Sequence, residues 1–179
     1  MKIEWLLFTY KVPAEPAAGR VGLWRKLKGM GAVYLQSGVC LLPKSDDHVR
    51  RLKMLENDAA SLGGEAVLLE TIAFDASQEA KVLERFRSDR DEQYREFIGK
   101  CDAFEEEIAK EFRIEKFTYA ELEEEDADLR KLQGWIEKIR KLDFYGAALG
   151  VEASERLRGC EATLARYAQR VFEVQGESE

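Results

Sequence analysis

The sequence predicts an α+β protein in which a small domain with the element order βαββαβ precedes three long helices. Short apolar runs rich in aromatic and branched residues occur only in the first 75 residues, and two segments of helical periodicity lie between them. From Ser77 onward this strand pattern disappears, and apolar residues recur at every third or fourth position. We therefore expect two domains, residues 1–75 and residues 76–179.

The first apolar run, Ile3 to Tyr10, is too short for a helix and is typical of a largely buried strand. Pro13 and Pro16 end it. A helix is predicted from Pro16 up to Gly29 and Gly31. Four of its residues are assigned to the apolar face, namely Val21, Leu23, Trp24 and Leu27. Its basic residues fall largely on the other faces, namely Arg20, Arg25, Lys26 and Lys28.

Three further elements complete the first domain. Residues 32–42 form a hairpin of two strands broken at Ser37-Gly38, and residues 44–47 offer N-cap candidates for a second helix that ends at Gly63-Gly64. Glu65 to Ile72 is the last strand. Because crossovers are right-handed, both helices lie on one face of a four-stranded antiparallel sheet, which is the ferredoxin-like arrangement.

The second domain is predicted to be an antiparallel three-helix bundle. One helix carries an apolar stripe from Leu83 to Phe112, a second begins at a capping box formed by Thr118 and Glu121, and a third follows the break at residues 143–146. Two acidic runs, Glu105–Glu107 and Glu123–Asp126, are interpreted as the solvated face of the bundle. Gly176 to Glu179 is expected to be a frayed end.

The net charge of −7 divides unevenly along the chain. Residues 1–75 hold ten Lys and Arg against nine Asp and Glu, whereas residues 76–179 hold eighteen against twenty-six. Only the first domain therefore offers a basic face, which could equally be an ordinary solvated helix surface. The sequence has no apolar run long enough to span a bilayer and no signal-peptide pattern, so a cytoplasmic protein without membrane contact is expected.

Few residues suggest catalysis. The three cysteines are dispersed, odd in number and embedded in apolar patterns, which predicts buried free thiols. His48 is the single histidine, and no CxxC, HExxH, GxSxG, Walker or dinucleotide motif occurs. We expect no enzyme activity, no resident metal and no cofactor.

One weak anion-binding pattern lies at the start of the first helix. Pro16 opens that helix, Arg20 follows one turn on, and Lys11 comes just before. Backbone N–H groups and two cations would converge there, so Lys11 and Arg20 are candidate oxyanion-binding residues. A proline in the first turn of a helix is also common for structural reasons alone.

Three stretches of the sequence resemble the N-terminal domain of the ChrB family, regulators encoded with bacterial chromate-efflux transporters. They are WLLFTYKVPAEPAAGRVGLWRKLKGMGAVYLQSGVCLLP, RSDRDEQYREFIGKC and KLDFYGA. The resemblance implies a cytoplasmic regulator of chromate resistance, whose N-terminal part is associated with DNA binding and whose C-terminal part is associated with chromate sensing. The chain is expected to stop where that sensing part would begin.

The order of strands and helices is similar, at the level of fold, to PaaX-type repressors and to CRISPR-associated Cas2 proteins, which pair as dimers. This likeness implies a homodimer as one partner state. Cas2 nucleases carry an acidic metal ligand after the first strand, where this sequence has Tyr10-Lys11. The winged helix that precedes the PaaX domain is not expected either, so DNA contacts would come from the ferredoxin-like part itself.

These observations support three hypotheses. The first is a non-enzymatic ChrB-like regulator that binds promoter DNA. The second is an interaction module whose acidic bundle docks a separate chromate-sensing protein, and the third is a small-oxyanion-binding domain. For the first, the candidate phosphate-binding residues are Arg20, Arg25, Lys26, Lys28, Arg50, Arg51 and Lys53. Trp24 is expected to be buried against the sheet, with Arg25 and Lys26 facing solvent.

Overall fold

The computed structural model of the protein describes residues 1–176. Residues 177–179, the end of the segment predicted to fray, lie outside the described residues. The protein is a mixed α/β molecule with a four-stranded antiparallel sheet. Its elements along the described part of the chain are β1 (Glu4–Lys11), α1 (Ala17–Gly29), β2 (Val33–Gln36), β3 (Val39–Pro43), α2 (Asp46–Ser61), β4 (Glu65–Ile72), α3 (Ala76–Arg113), α4 (Tyr119–Leu142) and α5 (Gly150–Gly176).

The strands are ordered β2-β3-β1-β4, so the first strand of the chain lies inside the sheet. β1 pairs antiparallel with β3 on one side and with β4 on the other, which places Phe8 between Cys40 and Leu68. Apolar side chains of β1 and β3 are buried together with residues of α1 and α2, including Leu27 and Leu52. The strand predicted at residues 3–10 is therefore confirmed, and the structure places it inside the sheet.

The start of α2 shows how the sequence fixes an element boundary. Ser45 has extended backbone angles, and its hydroxyl accepts a hydrogen bond from the backbone N–H of His48 at 3.0 Å. The His48 ring is buried, and its Nδ1 lies 2.7 Å from the carbonyl oxygen of Pro43. The Ser45 contact satisfies the backbone N–H of His48, which has no partner within the helix. The contact of the His48 ring with Pro43 attaches the start of α2 to the end of β3.

The described chain divides into two compact units, and the boundary falls within α3. We call Met1–Asp89 the sheet unit and the part from Arg90 onward the helical unit. None of the helices within residues 1–176 has the length and apolarity that a bilayer span requires.

The helical unit has one apolar core, which receives side chains from α3, α4 and α5. Phe97 of α3, Ile136 of α4 and Tyr167 of α5 are among its fully buried members. At the start of α4 the Thr118 hydroxyl accepts a hydrogen bond from the Glu121 N–H at 3.3 Å. The Thr118 half of the predicted capping box is therefore confirmed, whereas the Glu121 carboxylate pairs with the Lys116 ammonium. Most positions of the predicted apolar stripes are at least partly buried, but Phe112 is 37% exposed.

One of the acidic runs departs from its prediction as a solvated face. Glu125 is only 4% exposed, although Glu123 and Glu124 beside it are exposed. The physical reason is helical periodicity, because Glu125 lies three residues after Leu122 and four before Leu129, on the apolar stripe of α4. Glu111 of α3 is also buried, and its Oε2 has no hydrogen-bond partner among the described residues.

The three cysteines are free and buried, as the sequence predicts. Cys40 donates to the carbonyl oxygen of Phe8 at 3.6 Å within the sheet unit. Cys160 donates to the carbonyl oxygen of Cys101 at 3.5 Å within the helical unit. These thiols behave as small apolar core residues.

Candidate functional site

The sheet unit contains an open cavity of about 700 Å³ where the end of β1 meets α1 and the β2–β3 turn. We call it the α1 cavity. It combines cationic, aromatic and small residues from four consecutive segments of the chain. Its lining residues are Tyr10, Lys11, Val12, Arg20, Val21, Trp24, Tyr34, Ser37 and Gly38.

Gly38 shapes the floor of the α1 cavity. It has a φ of 73°, and a Cβ at this position would lie 2.5 Å from the carbonyl oxygen of Tyr10. The carbonyl oxygen of Gly38 accepts a hydrogen bond from the Tyr10 N–H at 2.8 Å. The β2–β3 turn is therefore held against the end of β1 in a way that only glycine allows without strain.

Two tyrosines pair across the floor of the cavity. The hydroxyl oxygens of Tyr10 and Tyr34 are 2.7 Å apart, and their rings meet edge to face. Burial raises the pKa of both phenols, most strongly that of Tyr34, where the hydrogen bond with Tyr10 adds to the effect. The Lys28 ammonium lies 5.8 Å from the centre of the Tyr34 ring. Both hydroxyls therefore stay neutral and available as hydrogen-bonding groups.

The prediction that Trp24 is buried against the sheet is wrong. Its side chain is 48% exposed and lines the α1 cavity, and Val21 on the same helix is 43% exposed. α1 buries only Leu23 and Leu27, which are four residues apart. Trp24 follows Leu23 directly, so it is turned by about 100° from that residue around the helix.

The two candidate oxyanion-binding residues lie together. Lys11, at the end of β1, and Arg20, in the second turn of α1, both line the α1 cavity. The start of α1 has no capping side chain and no acidic residue in its first turn, but residues 16–19 are not among those that line the cavity. The two cations by themselves favour negative charge there.

The candidate phosphate-binding residues fall into two groups. Four of them already form ion pairs with aspartates. These pairs are Lys26–Asp58 at 3.0 Å, Lys28–Asp89 at 3.4 Å, Arg51–Asp47 at 3.6 Å and Arg50–Asp47. The other three, Arg20, Arg25 and Lys53, are exposed and have no ion pair among residues 1–176.

Arg25 and Lys26 do not line the α1 cavity. They border a neighbouring depression of about 440 Å³ between α1 and α2, together with Arg51 and Asp58. The exposed cations therefore continue from the α1 cavity along α1 toward α2. Lys53 lies on the same helix as Arg51 and borders neither cavity.

Sequence reasoning missed the aromatic part of the site. Tyr10, Trp24 and Tyr34 were assigned to strands or to the apolar helix face, where aromatic residues are usually core. One signal was available, because Arg20 and Trp24 are four residues apart and must share a face of α1. A face that carries arginine beside an aromatic residue can bind phosphates and stack on rings.

The sheet, the two helices and the α1 cavity define an α/β protein with an exposed cationic and aromatic site. The chain matches the family described as Protein ChrB, N-terminal, over residues 20–178. It therefore belongs to the ChrB N-terminal family, which confirms the resemblance seen in the sequence. Arg20, Trp24, Tyr34 and Gly38 lie within the matched range, whereas Lys11 precedes it.

One curated relative is similar to the chain over most of its length. Protein ChrB of Cupriavidus metallidurans is 28% identical over 160 residues, which is 89% of this chain. The same alignment covers 46% of the relative, so the chain spans about half the length of the relative it matches.

Proposed function

We propose that the protein is a non-enzymatic, cytoplasmic, ChrB-like regulator of chromate resistance that binds DNA through the sheet unit. The observation that carries the proposal is the exposed surface of α1, where Arg20 and Trp24 line the α1 cavity and Arg25 borders the neighbouring depression. Neither arginine has an ion pair among the described residues. Family membership supports the regulatory role. We also propose that the sheet with α1 and α2 adopts the ferredoxin-like arrangement and that α3, α4 and α5 form an antiparallel bundle.

In this mode of binding the arginines neutralise DNA phosphates, and Trp24 contacts sugar or base. Arg20 and Arg25 can bind phosphate without first breaking an ion pair, because neither forms one among the described residues. Lys26, Lys28, Arg50 and Arg51 would first have to leave Asp58, Asp89 or Asp47. Phosphate contacts of this kind position a protein on the duplex and weaken as salt rises.

Fluorescence anisotropy with the DNA upstream of the protein's own gene tests this proposal. The double variant Arg20→Ala/Arg25→Ala should bind at least tenfold more weakly at low salt. It should also lower the slope of log affinity against log salt by about 2, because two phosphate contacts are removed. The matched control Arg95→Ala/Arg158→Ala removes two exposed arginines from the helical unit. Equal affinity of the two double variants, or no binding by the parent at low salt, would refute the proposal.

A second candidate function rests on the shared position of Lys11 and Arg20 in the α1 cavity. In that case the cavity binds a small oxyanion such as chromate or sulfate between the Lys11 ammonium and the Arg20 guanidinium. Binding would raise the melting temperature with anion concentration. Arg20→Ala should remove the rise, whereas Lys53→Ala should keep it, and a flat response of the parent up to millimolar anion would reject this function.

A further inference from the structure

An open cavity of about 570 Å³ lies between α3 and α4 in the helical unit. We call it the α3–α4 cavity. Phe104, Leu132 and Trp135 give it an apolar, aromatic surface. The remaining lining residues are polar or small, namely Lys100, Ala103, Glu107, Glu125, Asp128 and Lys131. Its volume and mixed lining are typical of small-molecule sites.

Glu125 is the unusual member of this lining. It is 4% exposed, and its carboxylate has no hydrogen bond or ion pair among the described residues. The other acids of the lining do have partners, since Glu107 pairs with Lys110 at 3.0 Å and Asp128 pairs with Lys131 at 2.9 Å. Because Glu125 lines the cavity and has no such partner, a cation that enters the cavity can pair with its carboxylate.

The charges around Glu125 point to the same kind of ligand. Burial raises the pKa of Glu125 to about 7, and neighbouring carboxylates add to the effect. Those carboxylates belong to Asp128, Glu107, Glu124 and Glu121. The lysines of the lining do not compensate it, because Lys131 is held by Asp128 and Lys100 is exposed on α3. The interior of the cavity therefore favours positive charge over negative charge.

We propose that the α3–α4 cavity binds an organic ammonium ion that carries an apolar body. The ammonium group donates hydrogen bonds to the Glu125 carboxylate, and the apolar body packs on Phe104, Leu132 and Trp135. Aromatic faces attract organic cations as well as apolar groups, so both parts of such a ligand are matched. This site is separate in sequence and structure from the α1 cavity and does not depend on the DNA-binding proposal.

Isothermal titration calorimetry of the full chain with phenethylammonium chloride tests the proposal. Phenethyl alcohol is the matched neutral probe, and 3-phenylpropionate is the anionic one. At pH 8 we expect saturable binding of the ammonium probe at submillimolar to millimolar concentration. The alcohol and the carboxylate should bind at least tenfold more weakly. Equal binding of the alcohol, or no binding of the ammonium probe up to 10 mM, would overturn the proposal.

Two variants locate the binding. Glu125→Gln keeps the shape of the side chain and removes its charge, so affinity for phenethylammonium should fall at least tenfold. Glu123→Gln, its exposed neighbour on α4, changes the net charge equally and should leave affinity within twofold. Ala103→Phe should narrow the mouth of the cavity and also weaken binding. Unchanged affinity in Glu125→Gln would overturn the proposal, and a thermal melt of each variant checks that it is folded.

The pH dependence gives an independent readout. The ionised form of Glu125 binds the cation, and this form grows from about one tenth at pH 6 to about nine tenths at pH 8 for a pKa of about 7. The ammonium probe stays charged over this range. Affinity should therefore rise about tenfold from pH 6 to pH 8 in the parent and stay flat in Glu125→Gln. A parent affinity that is flat with pH would contradict the assigned role of Glu125.

Discussion

The candidate site of the sheet unit and that of the helical unit place their unpaired charges in opposite environments. In the sheet unit, Arg20 and Arg25 are exposed on α1 and have no ion pair among the described residues. In the helical unit, the corresponding group is Glu125, which is buried beside a cavity. A charge on the surface costs little stability and can meet a large partner, whereas a buried charge weakens the fold until a small ligand neutralises it. Under the two proposals, the sheet unit accepts a large partner and the helical unit accepts a small ligand.

The largest expected effect tests whether the α1 face is a binding surface or core. Trp5→Ala should cost about 3–5 kcal/mol of unfolding free energy, because Trp5 is only 1% exposed. Trp24→Ala should cost no more than about 1 kcal/mol, because Trp24 is half exposed, and it should weaken DNA binding about tenfold. Urea denaturation and anisotropy measure the two quantities. Equal losses of stability would place Trp24 in the core and undo the comparison.

The second prediction concerns the buried charge of the helical unit. The pKa of Glu125 is raised from 4.5 to about 7, so the folded state holds a proton that the unfolded state releases between these values. Stability should therefore fall as pH rises from about 4.5 through 7, and solvent screening of this partly buried group limits the size of the fall. Glu125→Gln should remove this loss. Urea denaturation at pH 5 and pH 8 measures the unfolding free energy of the parent, of Glu125→Gln and of the control Glu123→Gln. An equal pH dependence of stability in all three proteins would contradict the prediction.

The third prediction contrasts a glycine from each unit. Gly38→Ala should destabilise the protein by more than about 1 kcal/mol, because φ is 73° and the new Cβ would meet the Tyr10 carbonyl oxygen. Gly99→Ala, within α3, should stabilise it by about 0.5–1 kcal/mol, since nothing lies within 4 Å of that Cβ. Thermal melts of both variants give the signs. Destabilisation by Gly99→Ala would show that the helical unit is as tightly constrained there as the β2–β3 turn.

The smallest effect is expected at the helix caps. Ser45→Ala in the sheet unit and Thr118→Ala in the helical unit should each cost about 1 kcal/mol. The Thr118 bond is longer, at 3.3 Å against 3.0 Å for Ser45, so its loss should be the smaller of the two. Chemical denaturation resolves this difference only with repeated measurements. A larger stability loss in Thr118→Ala than in Ser45→Ala would mean that the surroundings of each cap, and not the length of its hydrogen bond, determine its contribution to stability.

Most of the secondary structure could be predicted because it depends on local periodicity. The run at residues 3–10 became β1, the break at Ser37-Gly38 became the β2–β3 turn, and Ser45 and Thr118 became helix caps. Each of these signals lies within a few residues of the feature that it determines. The element order followed from them.

The site could be predicted only in part, because its members come together through tertiary packing. Lys11 and Arg20 were found from their positions around Pro16, but Tyr34 joins them only because β2 folds back beside β1 through β3. The apolar character of Trp24 predicts a core residue, but α1 buries only Leu23 and Leu27. The charge of Glu125 predicts an exposed residue, but its position on the apolar stripe of α4 buries it.

The three tryptophans are distributed so that light emission can report on each environment separately. Trp24 borders the α1 cavity, Trp135 borders the α3–α4 cavity, and Trp5 is buried in the sheet unit. The fluorescence of a solvent-exposed indole has a longer wavelength than that of a buried indole, and iodide quenches it more strongly. Variants that keep only Trp24 or only Trp135, with phenylalanine at the other positions, would therefore give each cavity its own optical signal. Occupancy of one cavity could then be followed while the other is filled.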